Sequence, residues 1–121
     1  MARILIIEDD VGVRDFLESL LERAGYETVT AANGKEGVDV FATSPVDLVI
    51  TDIIMPEKDG IETIMDMKRL NPALRVIAIS GGGRSEPENY LHSARLLGAD
   101  QTVKKPFANE DILRAVRALL D

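Results

Sequence analysis

A chain of 121 residues, 45% of them hydrophobic, is long enough for one packed domain that buries roughly two-thirds of its unfolded surface, and too apolar to stay disordered. Its 21 acids against 14 bases give a net charge of −7, which disfavours nonspecific binding to nucleic acid. It has no cysteine, so disulfide staples, thiolate metal sites and cysteine nucleophiles are excluded.

The apolar run before Glu8 is too short for a signal peptide or a membrane span, so a cytoplasmic protein with no membrane contact is expected. No repeat, low-complexity tract or linker interrupts the chain, and residues 1–121 are expected to form a single domain. Arg3-Ile4-Leu5-Ile6-Ile7 reads as a strand buried on both faces, and it ends in Glu8, Asp9 and Asp10. A helix follows, with Val13, Phe16, Leu17, Leu20, Leu21 and Ala24 at helical spacing and Gly25 at a left-handed C-terminal cap. Asp10 reads as the N-cap of this helix rather than as a ligand.

Thr28 to Ala32 reads as a short edge strand. Asn33 with Glu36 three residues on forms a capping-box pattern, Val38, Phe41 and Ala42 give the second helix a small apolar face, and Ser44-Pro45 stops it. The run Val46 to Asp52 comes next. Leu48, Val49 and Ile50 are consecutive and apolar, the mark of a central parallel strand, and the run ends in a carboxylate. An acid there is costly unless a cation or donors meet it. After a loop through Met55-Pro56 and Asp59-Gly60, the residues Ile61, Ile64, Met65, Met67 and Leu70 form a third helix that Asn71-Pro72 ends.

Arg75 to Ile79 is another buried strand, followed by Ser80 and by Gly81-Gly82-Gly83. Ser85, Pro87 and Glu88 start a fourth helix that turns Tyr90, Leu91, Ala94 and Leu97 inward and ends at Gly98. Gln101 to Lys104 is a short last strand, broken by Lys105-Pro106-Phe107. Asn109 is expected to cap a final helix, with Glu110 and Asp111 in its first turn and Ile112, Leu113, Val116, Leu119 and Leu120 on its buried face.

Five strands alternating with five helices predict an α/β fold, a doubly wound parallel sheet covered on both sides. Right-handed crossovers bring every strand's C-terminal end to one edge, where ligands bind in such sheets. That edge would carry Glu8, Asp9, Asp52, Ser80 and Lys105. Three crowded carboxylates call for a hard divalent cation, and all-oxygen ligands suit magnesium. A carboxylate can also attack a phosphoryl group, while a hydroxyl and an ammonium bind its remaining oxygens. Singly, these residues read as loop acids, a turn serine and surface lysines. No phosphate-cradling GxxxxGK[ST] or GxGxxG pattern is present. His92 has no partner histidine, and Arg84, Arg95, Arg114, Arg117 and Lys104 read as solvated charge.

The set resembles the receiver domain of bacterial two-component response regulators (CheY-like). The resemblance spans Ile4 to Leu120 and rests on Glu8-Asp9-Asp10, Asp52 with Met55-Pro56 and Asp59-Gly60, Ser80, Gly98-Ala99-Asp100 and Lys105-Pro106-Phe107. It implies a flavodoxin-like (βα)5 fold with strand order 2-1-3-4-5. It implies Asp52 as phosphoacceptor, and Mg²⁺ held by Glu8, Asp9, Asp52 and the backbone carbonyl of Ile54. It further implies Ser80 and Lys105 as phosphoryl contacts, and a cis bond before Pro106. Two departures stand out. Thr102 occupies the position where the family commonly has its switch aromatic, and the Ser80-to-Lys105 segment looks longer and carries three glycines. Transmission is therefore expected to rely on closure of the glycine loop onto phosphate. Ile54 and Gly82, at the positions that influence hydrolytic water, imply slow to moderate self-dephosphorylation.

The implied function is a stand-alone switch rather than an enzyme. A sensor histidine kinase or phosphotransfer protein would load it, and an unidentified downstream protein, not nucleic acid, would read it. A receiver cut from a longer regulator, a partner-binding pseudo-receiver and a small nucleotide- or flavin-binding protein of the same topology are the alternatives.

Overall fold

A computed structural model describes residues 1–53, 60–81 and 98–120, with the backbone alone for residues 80 and 81. The predicted fourth helix with His92, the Met55-Pro56 turn, the Ile54 carbonyl and Gly82-Gly83 lie outside the described residues. Along the chain run β1 (Arg3–Ile7), α1 (Val11–Arg23), β2 (Glu27–Ala31), α2 (Gly34–Thr43), β3 (Leu48–Asp52), α3 (Gly60–Leu70), β4 (Arg75–Gly81), β5 (Gln101–Lys105) and α4 (Asn109–Leu120). The five strands pair in parallel in the order β2-β1-β3-β4-β5. This is the flavodoxin-like order that the resemblance implied.

Alternation along the strands divides the core into two layers. Leu5, Ile7, Val49, Val76 and Ala78 face α2 and α3, where Ile64 and Met67 meet them. Ile4, Ile6, Leu48, Ile50, Ile77 and Ile79 face α1 and α4, against Leu17, Leu21, Ile112 and Val116. Both faces of β1, β3 and β4 are thus covered, as their unbroken apolar runs require. Each such aliphatic side chain, fully buried, stabilises the fold by about 1.5–3 kcal/mol.

Helix ends follow local chemistry. Asp10 Oδ1 accepts from Val13 N–H at 3.1 Å and Asn33 Oδ1 from Glu36 N–H at 2.8 Å, so both residues are N-caps. Gly25 has φ of +98°, the left-handed turn that closes α1. At α4 the expectation fails. Asn109 is already the first helical residue, and the Asp111 carboxylate reaches back to accept from Ala108 N–H at 2.8 Å. This is the reciprocal half of a capping box, the third helical residue reaching back to the N–H of the residue before the helix.

Three apolar faces also differ from their periodicity. Met65 and Leu70 are 41% and 60% exposed on α3, whose buried stripe runs instead through Gly60, Thr63, Ile64 and Met67. On α2, Ala42 is exposed while Gly34 and Gly37 are buried, because α2 lies so close to β1 that a Cβ at Gly37 would overlap the Ile7 side chain. Phe16 stands at the rim of α1, 37% exposed, with its ring centroid 6.1 Å from that of Phe107.

Candidate functional site

The register fixes what meets at the C-terminal edge. Ile7 pairs with Thr51, Asp52 with Ile79, and Gly81 with Lys105. Glu8, one residue past β1, continues the ladder by donating its N–H to Ala31 O at 3.0 Å. Asp52 is still within β3 and is buried with Thr51 and Ile53 beside it. The Thr51 hydroxyl donates to the Asp52 carbonyl oxygen at 2.9 Å, and Gly60 N–H donates to Ile53 O at 2.6 Å. A Cβ on Gly60 would overlap the Asp52 carbonyl oxygen, so a glycine is what lets α3 start this close to β3.

Glu8, Asp9 and Asp52 each present a carboxylate oxygen, and these three oxygens lie within 4.8 Å of one another. Glu8 is only 1% exposed and Asp52 6% exposed, whereas Asp9 is open to solvent. The Lys105 ammonium enters from β5 and donates to Glu8 Oε1 at 3.0 Å and to Asp52 Oδ2 at 3.1 Å. One cation therefore bridges the two buried acids. It does not neutralise the cluster. Burial, reinforced by the neighbouring charge of Asp52, pushes the Glu8 carboxyl up to about 7 against the pull of Lys105. Burial alone would lower the Lys105 ammonium, but its hydrogen bond to Glu8 and the charge of Asp52 win and hold it above its ordinary value.

Glu8 Oε2 is buried and has no hydrogen-bond partner among the described residues. An unpaired buried carboxylate oxygen beside two further acids suits a hard cation with oxygen ligands, and the donor set therefore fits Mg²⁺. Asp10 is engaged at the helix cap, and among the described residues the acids whose oxygens converge closely enough to hold a cation are Glu8, Asp9 and Asp52. The backbone of Ser80 lies in β4 opposite Lys104, at the same edge. Thr102 sits half-buried on β5 opposite Ala78. The Lys105-Pro106 peptide is cis.

The sequence reading missed Arg14. Its Nη1 donates to the Glu8 carbonyl oxygen at 3.0 Å in a half-buried position. A signal existed. Arg14 is a cation one turn into a helix whose first turn contains no acid, against the helix dipole, so it needs a local reason. The reading also placed Phe16 in the core. It instead lines a largely apolar groove of about 460 Å³ with Gly12, Val13, Phe107, Pro106 and the Lys105 stem.

A five-stranded parallel sheet with three acids and one lysine gathered at its C-terminal edge defines a doubly wound α/β protein with an acidic pocket like that of a phosphoacceptor site. The chain belongs to the response regulator receiver domain family, whose sequence model matches residues 4–117. It is 34% identical over 118 residues to the sporulation initiation phosphotransferase F of Bacillus subtilis, a match covering 98% of this chain and 93% of that protein. The Vibrio cholerae chemotaxis protein CheY4 superimposes with a TM-score of 0.89 at 26% identity, covering 99% of each chain. The response regulator TrrA of Thermotoga maritima, solved in complex with Mg²⁺-BeF, gives 0.85 at 30% identity over 99% of this chain and 100% of that one. Against several other curated regulators, this chain spans about half their length, 48–51%. Receiver domains are phosphoacceptor switches of two-component systems rather than classical enzymes, they bind Mg²⁺ at an acidic site, and they interact with histidine kinases or phosphotransfer proteins. Among the described residues no helix is long and apolar enough to cross a membrane.

Proposed function

We propose that this chain is a Mg²⁺-dependent phosphoacceptor switch in which Asp52 receives the phosphoryl group. The observation that carries the reading is the Lys105 ammonium held between Glu8 Oε1 and Asp52 Oδ2 at the edge where three acids converge. An Asp52 oxygen attacks phosphorus, the bond from phosphorus to the donor's leaving atom breaks, and an aspartyl-phosphate forms. With a protein donor the leaving group is a histidine imidazole. Lys105, already in contact with Asp52, stays paired to the new phosphoryl charge, and Ser80 supplies a hydroxyl from the neighbouring strand. Glu8, Asp9, Asp52 and the Ile54 carbonyl would hold Mg²⁺, which when bound offsets charge on the transferring group.

The same reading makes the chain a single-domain cytoplasmic switch whose output passes to a downstream protein. With Thr102 in place of an aromatic, closure of the glycine loop on phosphate would carry the signal. Ile54 and Gly82 offer no side chain that orients water, so the phosphoryl group should decay slowly to moderately.

The test is intact-protein mass after incubation with acetyl phosphate and Mg²⁺. A single labile phosphoryl adduct on the wild type, lost in Asp52→Asn, is the expected result. An adduct that survives in Asp52→Asn overturns the site. No adduct on the wild type, even with a phosphorylated histidine donor, overturns the switch reading in favour of a partner-binding pseudo-receiver.

A further inference from the structure

Arg14 has a position that the phosphoacceptor chemistry leaves unexplained. Its backbone N–H donates to Asp10 O at 2.9 Å, as the first turn of α1 requires. Its side chain turns back past the helix start, and Nη1 donates to the Glu8 carbonyl oxygen at 3.0 Å. That carbonyl belongs to the peptide plane joining Glu8 to Asp9. On the preceding peptide, Glu8 N–H is fixed to Ala31 O at 3.0 Å. The main chain entering the acidic turn is thus pinned twice, once by the sheet and once by the guanidinium.

Asp9 is what this pinning serves. The carboxylates of Glu8 and Asp52 are buried and share Lys105, so packing and the ammonium both locate them. Asp9 is exposed, and among the described residues no side-chain hydrogen bond holds its carboxylate. Its oxygen nevertheless lies within 4.8 Å of those of the other two acids. Among the described residues, the direction of the backbone is what keeps it there. The peptide plane that sets this direction is the one Arg14 holds.

We propose that Arg14 is a positioning residue for the divalent cation: by clamping the Glu8 carbonyl it holds the Asp9 carboxylate in convergence with Glu8 and Asp52. This rests on the reading that these acids bind Mg²⁺. Arg14 and a bound cation carry charge of the same sign, so the two possible roles of this side chain predict opposite effects. As a mere charge, Arg14 repels Mg²⁺, and its removal tightens binding. As a clamp, its removal weakens binding. The clamp also has a metal-specific signature. Mg²⁺ demands near-ideal octahedral geometry, while Ca²⁺ tolerates irregular and variable coordination. Loosening one ligand therefore penalises Mg²⁺ more than Ca²⁺, whereas a change in charge acts on both ions alike.

The experiment is calorimetric titration of the full chain with Mg²⁺ alone and with Ca²⁺ alone, for wild type, Arg14→Met, Arg14→Lys and Asp9→Asn. Amide NMR spectra establish that each variant is folded. Arg14→Met is expected to lose about tenfold in Mg²⁺ affinity, the scale typical of residues that orient metal ligands, with a smaller loss for Ca²⁺. Arg14→Lys keeps the charge without the planar fork and is expected to fall between. Unchanged or tighter Mg²⁺ binding by folded Arg14→Met overturns the positioning role, as does an equal loss for both ions. Should Arg14→Met fail to fold, Arg14→Lys carries the same comparison. A wild type that binds neither ion overturns the metal site itself, and the positioning role falls with it. A wild type that binds while Asp9→Asn does so weakly keeps the two failures distinguishable.

Discussion

The two ends of the sheet treat charge in opposite ways. At the N-terminal edge the acids Asp47 and Asp100 accept from strand N–H groups, and Arg3 and Lys68 each stand beside a carboxylate. Arg3 N–H donates to Asp47 Oδ2 at 2.8 Å, Asp47 N–H returns a bond to Arg3 O, and the Arg3 guanidinium pairs with Glu27 at 3.0 Å. Asp100 Oδ2 accepts from Val76 N–H at 2.8 Å and stands 3.5 Å from Lys68, whose ammonium also donates to Leu74 O. These groups are partly solvated, so their charge is cheap to hold. At the C-terminal edge three acids converge, the two buried ones share one lysine, and one oxygen has no hydrogen bond among the described residues. The first edge is built for stability. The second is left short of positive charge, the condition under which a bound cation contributes most.

This contrast can be broken or sharpened by substitution. The largest loss of stability is expected from Gly60→Ala, where a Cβ overlaps the Asp52 carbonyl oxygen and the backbone of β3 and α3 must separate. A cost of about 3 kcal/mol is expected, read from urea unfolding. A loss under about 1 kcal/mol would show that this end of the sheet gives way easily.

Next in size is Glu8→Gln, whose effect should have the opposite sign. The amide removes the charge that burial and Asp52 disfavour, so without Mg²⁺ at pH 8 the variant should be more stable than wild type by on the order of 2 kcal/mol. It should also lose most Mg²⁺ affinity.

A pH series tests the same group without mutation. Glu8 is raised from 4.5 to about 7, so between those values the folded chain holds a proton that the unfolded chain has released. Its contribution to stability is therefore most favourable below the unfolded value, falls as pH rises through this window, and levels off above about 7. The difference in unfolding free energy between Glu8→Gln and wild type, in a chelator, should widen over that range. Stabilisation by added Mg²⁺ should grow across the same window, because the proton and the cation compete for one carboxylate. A difference flat in pH would place the Glu8 proton elsewhere. The smallest effect is expected at the opposite edge: Asp47→Ala should cost about 1 kcal/mol, with little dependence on Mg²⁺, through the lost acceptor for Arg3 N–H.

The sheet was readable because buried parallel strands have a plain signature. Ile4 to Ile7, Leu48 to Ile50 and Val76 to Ile79 are unbroken apolar runs, and the acids and lysine that follow them had to share one edge. Asp10 and Asn33 were readable as caps because capping acts over three residues. What escaped depended on distances across the fold. Periodicity placed Met65 and Phe16 inward, yet helix docking decides how wide the buried stripe is. Gly37 carries no chemical signal and takes its role from close approach to Ile7, while Gly60 was legible as a loop residue but its close approach to Asp52 was not. Arg14 has a cue in its place near the helix start, but its partner, the Glu8 carbonyl oxygen, shows only in the fold. The strand order followed from the family resemblance, since alternation alone leaves several orders open.

The contact between Phe16 and Phe107 offers an optical handle. It joins the start of α1 to the segment after Lys105, beside the acidic pocket. The chain contains no tryptophan. A single indole introduced by Phe16→Trp would therefore be the one indole emitter, excited selectively over the two tyrosines at the red edge of its absorption. Its colour and intensity would report, in real time and without label, when the ground around Lys105 changes hands.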